Sequence, residues 1–174
     1  MHHVSIPSVV SIGGMGRPDL LRALDERNVH LNHAAKTLFE DRRFTTFDRQ
    51  QIIQIVALSV ADLGLDAGGT YGQITARAMD AGLVECPLET APHLRMQFLD
   101  QAEGSHKPRT THKGAPSGSI TVASAPLDDR DETAKGFYLR CIDGVFWLRG
   151  YWSSHDHVWS PEDVLVFSSG RRPD

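Results

Sequence analysis

The chain has 174 residues, 40% of them hydrophobic and 23% charged, an ordinary globular balance that gives one domain a sizeable core and excludes wholesale disorder. Its net charge of −4 excludes a general binder of phosphate backbones, although a local basic patch stays open. No apolar run is long enough to span a bilayer, and the opening MHHVSIPSVVSIGGMG has no basic stretch followed by an apolar one, so a cytoplasmic protein is expected.

Residues 1–17 read as an N-terminal arm in which Val9, Val10 and Ile12 make a short strand, ended by Gly13, Gly14 and Gly16. Pro18 suits the first turn of a helix, with Leu20, Leu21 and Leu24 as its apolar stripe and Asn28 as its stop. A second helix is predicted over 32–40, where Ala34, Ala35, Leu38 and Phe39 share one side. The run IIQIVALSV at 52–60 is short, apolar and β-branched, which favours a buried strand, with a helix over 48–63 as the competitor. After a turn-rich loop, Thr70 and Gln73 form a capping-box pattern that opens a helix burying Ile74, Ala78 and Met79 and ending at Gly82. The order apolar segment, Gly-rich loop, helix is that of a phosphate-binding unit, but no such signature is present, so Gly68 and Gly69 read as a turn.

In LETAPHLRMQFLDQ, Leu94, Met96 and Phe98 alternate with Arg95 and Gln97, the pattern of a half-exposed strand, with a short helix starting at Pro92 as the weaker alternative. Residues 102–118 carry almost no large apolar group and read as a mobile, locally basic loop. A strand follows over 119–125, and a last one over 164–167 precedes a frayed tail, 168–174.

The most informative stretch is FYLRCIDGVFWLRGY, residues 137–151. Asp143-Gly144 suits a two-residue hairpin turn, which sets Arg140 opposite Trp147 and Tyr138 opposite Arg149. Phe137, Leu139, Cys141, Phe146, Leu148 and Trp152 then share a core face. Tyr138, Arg140, Ile142, Val145, Trp147, Arg149 and Tyr151 share the other. That second face is either a half-buried sheet face with arginine stems covering rings, or a recognition surface. With helices early and strands late, the expected fold is α+β. Short N-terminal helices pack on a mostly antiparallel sheet of four or five strands, in a single domain over 18–167.

Four stretches, SVADLGLDAGGTYGQITARAMDAGL, CPLETAPHLRMQFLDQ, GFYLRCIDGVFWLRGYW and DHVWSPEDVLVF, stand in a distinctive order. This succession resembles a family of small uncharacterised bacterial proteins and covers residues 20–167. The resemblance implies a bacterial, single-domain, cytoplasmic protein and brings no activity, cofactor or catalytic residue with it.

Chemistry-bearing groups are sparse. His155 and His157 flank Asp156, which makes this the best place to look for a metal or for a small hydrolase, yet H-x-H supplies only two ligands. Cys86 and Cys141 lack a second cysteine at metal-ligand spacing; Cys141 is expected as a buried free thiol, and Cys86, before Pro87, is a disfavoured candidate for an exposed nucleophile with no histidine assigned to activate it. Glu89, Asp100 and Asp156 with Arg95 and Gln97 are candidates for one pocket, with an arginine–carboxylate tie as the structural alternative.

The leading expectation is a non-catalytic binding or interaction module. Its protein or small-molecule partner would contact Tyr138, Arg140, Trp147, Arg149 and Tyr151, bordered by Arg95 and the 153–159 loop. No cofactor is expected, and a homodimer stays open. The alternatives are the Asp156 hydrolase and a binder of single-stranded nucleic acid, the latter opposed by the acidic balance.

Overall fold

The computed structural model describes residues 4–104 and 115–170. In chain order the elements are β1 (Val9–Ile12), α1 (Arg17–Glu26), β2 (His30–Leu31), α2 (His33–Glu40), β3 (Gln51–Ser59), β4 (Gly69–Thr70), α3 (Tyr71–Asp80) and α4 (Thr90–Gln97). Then come β5 (Ile120–Val122), β6 (Gly136–Ile142), β7 (Val145–Tyr151), β8 (Val158–Trp159) and β9 (Val164–Ser168). Seven strands form one curled mixed sheet in the order β1-β3-β9-β5-β6-β7-β2, and β4 pairs with β8 alone.

This corrects the expected four- or five-stranded, mostly antiparallel sheet. Two of its pairings, β5 with β9 and β2 with β7, are parallel. The helices are spread through the first hundred residues rather than gathered at the N-terminus. The short strand expected at Val9–Ile12 belongs to the sheet rather than to a separate arm, and β2, only two residues long, has no signal of its own; both join partners distant in the chain. Local alternation carries no trace of such pairings. Of the expected arm, residues 1–3 lie outside the described residues, while Val9–Ile12 is an edge strand paired along β3. Of the expected loop and tail, 105–114 and 171–174 also lie outside them.

Several local readings agree with the structure. β3 is a strand, as its β-branched composition favours, but not the buried strand expected: Ile55 alone of its residues is buried, and Ile52 is 50% exposed, because β3 lies next to the edge strand β1. Thr70 accepts the Gln73 amide at 3.3 Å while Gln73 Oε1 accepts the Thr70 amide at 2.9 Å, completing the capping box of α3. Asn32 caps α2 by accepting the Ala35 amide at 2.9 Å, and the same side chain clasps both the N–H and the C=O of Gly150 on β7. Gly150 permits this docking, since a Cβ there would lie 2.6 Å from the α2 backbone. The hairpin register matches in every pair from Tyr138↔Arg149 to Ile142↔Val145, around a turn with φ of 52° at Asp143 and 73° at Gly144.

The expected strand at 94–98 is instead α4. Every residue from Thr90 to Arg95 is buried, so the helix has no polar face and shows no helical period. Met79 was expected inside and is 69% exposed, and Trp152 leaves the core face once β7 has ended and is 47% exposed.

The sheet has an inner and an outer face. The inner face packs on α1, α2 and α4 around Phe39, Phe44, Phe137, Leu139, Leu148 and Val166. The outer face packs on α3 through a smaller cluster of Ile74, Ala78, Ala123, Leu165, Phe167 and Trp159. Leu165, Val166 and Phe167 alternate between the two clusters, as consecutive strand residues must.

Candidate functional site

The predicted second face of the hairpin belongs to the outer side of the sheet. Arg149 is clamped there: its Nε donates to the Tyr138 hydroxyl at 2.8 Å, and its guanidinium lies 5.0 Å from the centre of the Trp147 ring. His30 meets Trp147 edge-on at 5.1 Å. Trp147, Arg140 and Arg149 are half-buried; Arg149, Tyr138 and Trp147 are tied to one another, whereas Arg140 Nε is buried without a hydrogen-bond partner among the described residues.

Arg95 does not border this face. It sits on α4, fully buried on the inner side, with its guanidinium 4.7 Å from the Phe146 ring. It donates to Gln101 Oε1 at 2.6 Å, to the Trp147 carbonyl at 3.4 Å and to the Phe98 carbonyl. These acceptors are neutral, and burial lowers the arginine to about 10. A strand reading put Arg95 beside Gln97; a helix sends them apart, and Gln97 bonds to the Ser11 backbone instead. The suggested shared pocket of Glu89, Asp100, Asp156, Arg95 and Gln97 is therefore not formed. Glu89 is buried under α4, where it accepts the Phe47 amide at 2.8 Å and faces His93 at 3.4 Å.

Cys86 is buried, not exposed, and burial pushes its thiol up to about 12, which leaves no nucleophile at neutral pH. Cys141 is a buried free thiol, as read. Asp156 lies at the surface, its carboxyl held below the ordinary range by the Ser154 hydroxyl and by its own amide, with smaller help from the flanking histidines. Those histidines diverge. His155 lines one cleft, while His157 lines another and stands edge-on to Trp159 at 5.7 Å. Among the described residues no three His, Cys, Asp or Glu side chains gather as metal ligands would.

Two adjoining clefts open on the outer face and share Tyr151 and Ser153. The larger, about 490 Å³, runs from the N-terminus of α3 (Thr70, Tyr71, Gly72) past Ser124 and Pro126 to Ser154 and His155. The smaller, about 320 Å³, is walled by Tyr138, Tyr151, Trp152, His157 and Trp159. Of the five hairpin residues expected to bind, Tyr138 and Tyr151 line these clefts; Arg140, Trp147 and Arg149 line neither. The Tyr151 and Trp159 rings meet edge-on at 5.6 Å.

The Gly-rich loop builds this site. Gly69 and Thr70 pair with Trp159 and Val158, and a Cβ on Gly68 would lie 2.2 Å from the Trp159 carbonyl oxygen. The loop thus carries the start of α3 to the 153–155 segment. The Tyr71 hydroxyl lies 2.6 Å from Glu85 Oε2 and 3.0 Å from the Ser124 carbonyl, and its one proton is shared between them. Burial raises the Tyr71 and Tyr151 phenols far above neutrality, so both stay protonated.

Two buried polar atoms at the clefts have no partner. Ser124, 3% exposed, has an unbonded hydroxyl beside the larger cleft, and Trp159, 4% exposed, has an unbonded indole N–H beside the smaller. In the sequence Trp159 stands out only as part of the 153–159 loop, and Ser124, just beyond β5, has nothing in its neighbours to single it out. Comparison with protein-family models, with curated proteins and with solved structures finds no match for this chain.

Proposed function

We propose that the protein is a non-catalytic binding module of the bacterial cytoplasm whose small-molecule ligand seats in the paired clefts on the outer face of the sheet. The observation that carries this reading is the pair of unbonded polar groups, Ser124 Oγ and Trp159 Nε1, one at each cleft. More than nine in ten buried polar groups in folded proteins are paired. Leaving one unpaired costs about 1–3 kcal/mol, and a ligand that bonds to it recovers that cost. The volumes, about 490 and 320 Å³, fall in the range of small-molecule sites. The rings of Tyr71, Tyr138, Tyr151 and Trp159 suit a flat, largely apolar ligand body. No helix among the described residues is long and apolar enough to cross a membrane.

The test is a fragment screen of small aromatic compounds read by ¹H–¹⁵N correlation spectra. Binders are expected to move the Trp159 indole resonance together with the amides of 70–72 and 151–154. Binders that move only the neighbourhood of Trp147 and Arg149, or no binders at all, would reject the clefts as the site.

A further inference from the structure

We infer that the larger cleft holds the carboxylate of a small organic acid, with the acid's apolar body against Tyr71, Tyr151 and Pro126. This deepens the binding reading above and rests on it. The cleft contains the first turn of α3, a ten-residue helix. Thr70 satisfies the amide of Gln73 with its own side chain, but the amides of Tyr71 and Gly72 carry no hydrogen bond among the described residues. Such amides, aligned with the helix dipole, form a ready anion site. Independently of the helix, the buried Ser124 hydroxyl at the same cleft lacks any partner and is free to donate. Gly136 leaves room above it, since a Cβ there would come within 3.1 Å of Ser124 Oγ and 3.5 Å of the Tyr151 hydroxyl.

Charge selects the kind of anion. Lys135 and Asp129 both line the cleft and offset each other. The Lys135 ammonium is also fixed by the carbonyls of Asp128 at 3.0 Å and Arg130 at 2.6 Å. What remains on the lining is the His155 imidazole and the helix terminus, the latter worth roughly half an elementary charge. That matches a singly charged carboxylate and leaves a doubly charged phosphate monoester undercompensated. Gly72 keeps the approach open, since a Cβ there would meet only Thr70 Oγ1, at 4.0 Å.

The experiment titrates the full chain with phenylacetate, phenylacetamide and phenyl phosphate, following amide shifts. Phenylacetate is expected to move the Tyr71 and Gly72 amides and to bind at least tenfold tighter than phenylacetamide, with phenyl phosphate no tighter than phenylacetate. Gly72→Asp places a carboxylate where the helix tolerates it best, so the fold is kept, and phenylacetate affinity falls at least tenfold, several-fold more than that of phenylacetamide. Ser124→Ala is the second variant: because the hydroxyl is unbonded in the free protein, the melting temperature does not fall, while phenylacetate binding weakens several-fold. Equal binding of acid and amide, unchanged affinity in both variants, or tighter binding of phenyl phosphate overturns the carboxylate assignment and leaves the binding module standing. A protein in which none of the three probes moves a cleft resonance loses both readings.

Discussion

The two faces of the sheet are built from the same strands and end in different states. On the inner face, α1, α2 and α4 cover the sheet from β1 to β7, and the rings of Phe39, Phe44 and Phe137 lie 5.3–6.0 Å apart. On the outer face α3 covers the region of Leu165, Phe167 and Ala123. Beyond it the sheet turns aromatic and charged, with Tyr138, Arg149 and Trp147 tied to each other rather than to a helix. The clefts lie where the two outer regions meet, at Tyr151 and Trp159. A sheet face therefore leaves room for a ligand where its cover stops while its side chains are still large. The rings at the border are too big to lie flat and too apolar to stand free.

The largest expected effect tests that asymmetry directly. Phe137→Ala opens a cavity among three rings and should cost about 3–5 kcal/mol in urea denaturation. The outer double variant Trp147→Ala with Arg149→Ala removes two cation–π contacts, the hydrogen bond to Tyr138 and two half-buried cross-strand partners, a loss of about 1–2 kcal/mol. If the double variant costs as much as Phe137→Ala, the ladder is a second core rather than a surface, and the distinction between the faces collapses.

Arg95 sharpens the comparison, because it places a cation on the side that is otherwise apolar. Its guanidinium bonds only neutral acceptors and stacks on Phe146. Replacing it with Met keeps the volume but leaves Gln101 Oε1 and the Phe98 carbonyl without their donor. Each unpaired buried acceptor costs about 1–3 kcal/mol, and relief from burying the charge offsets part of that. A net loss of about 2 kcal/mol is expected from chemical denaturation. A variant as stable as the parent would show that the arginine only fills space.

What was legible in the sequence follows the range over which each interaction acts. The hairpin was readable to the residue because turn chemistry and alternation are both local: Asp143-Gly144 fixes the register and the register fixes the faces. The cap of α3 was readable for the same reason. The parallel partnership of β2 with β7 was not, since two residues hold it and a separate side chain, Asn32, secures it from outside the strand. The helix α4 was misread because burial on all sides erases the period that marks a helix, and with it went the placement of Arg95. Half of the site was visible as aromatic residues on the outer face. The other half depends on β4 meeting β8. That pairing joins a Gly-rich turn to a loop ninety residues later, and nothing in either segment announces the other.

The smallest effect probes the dryness of the inner side by pH. Cys86 is buried there, its amide bonded to the Ala123 carbonyl at 2.7 Å and its thiol raised from 9.0 to about 12 by burial, with a smaller contribution from Glu85. In the unfolded chain the thiol ionises around its ordinary value, while in the folded protein it keeps its proton. The native state therefore binds more protons above pH 9, and stability must fall as pH rises from there towards 12; below 9 the contribution is fully present. At pH 10 the difference amounts to about 1.4 kcal/mol, one unit of ionisation in the unfolded chain. Arg95, lowered to about 10, pulls in the opposite sense, and the raised phenols of Tyr71 and Tyr151 pull in the same sense, as pH approaches 10; all three are common to parent and variant, so the difference between the two isolates the cysteine. The measurement is the stability of Cys86→Ala against the parent across the window from pH 8 to 10. The variant should lose less than the parent as pH rises, closing about 1.4 kcal/mol of any gap between them. Parallel curves would mean that water reaches the thiol, and that the inner face is not the sealed side of this sheet.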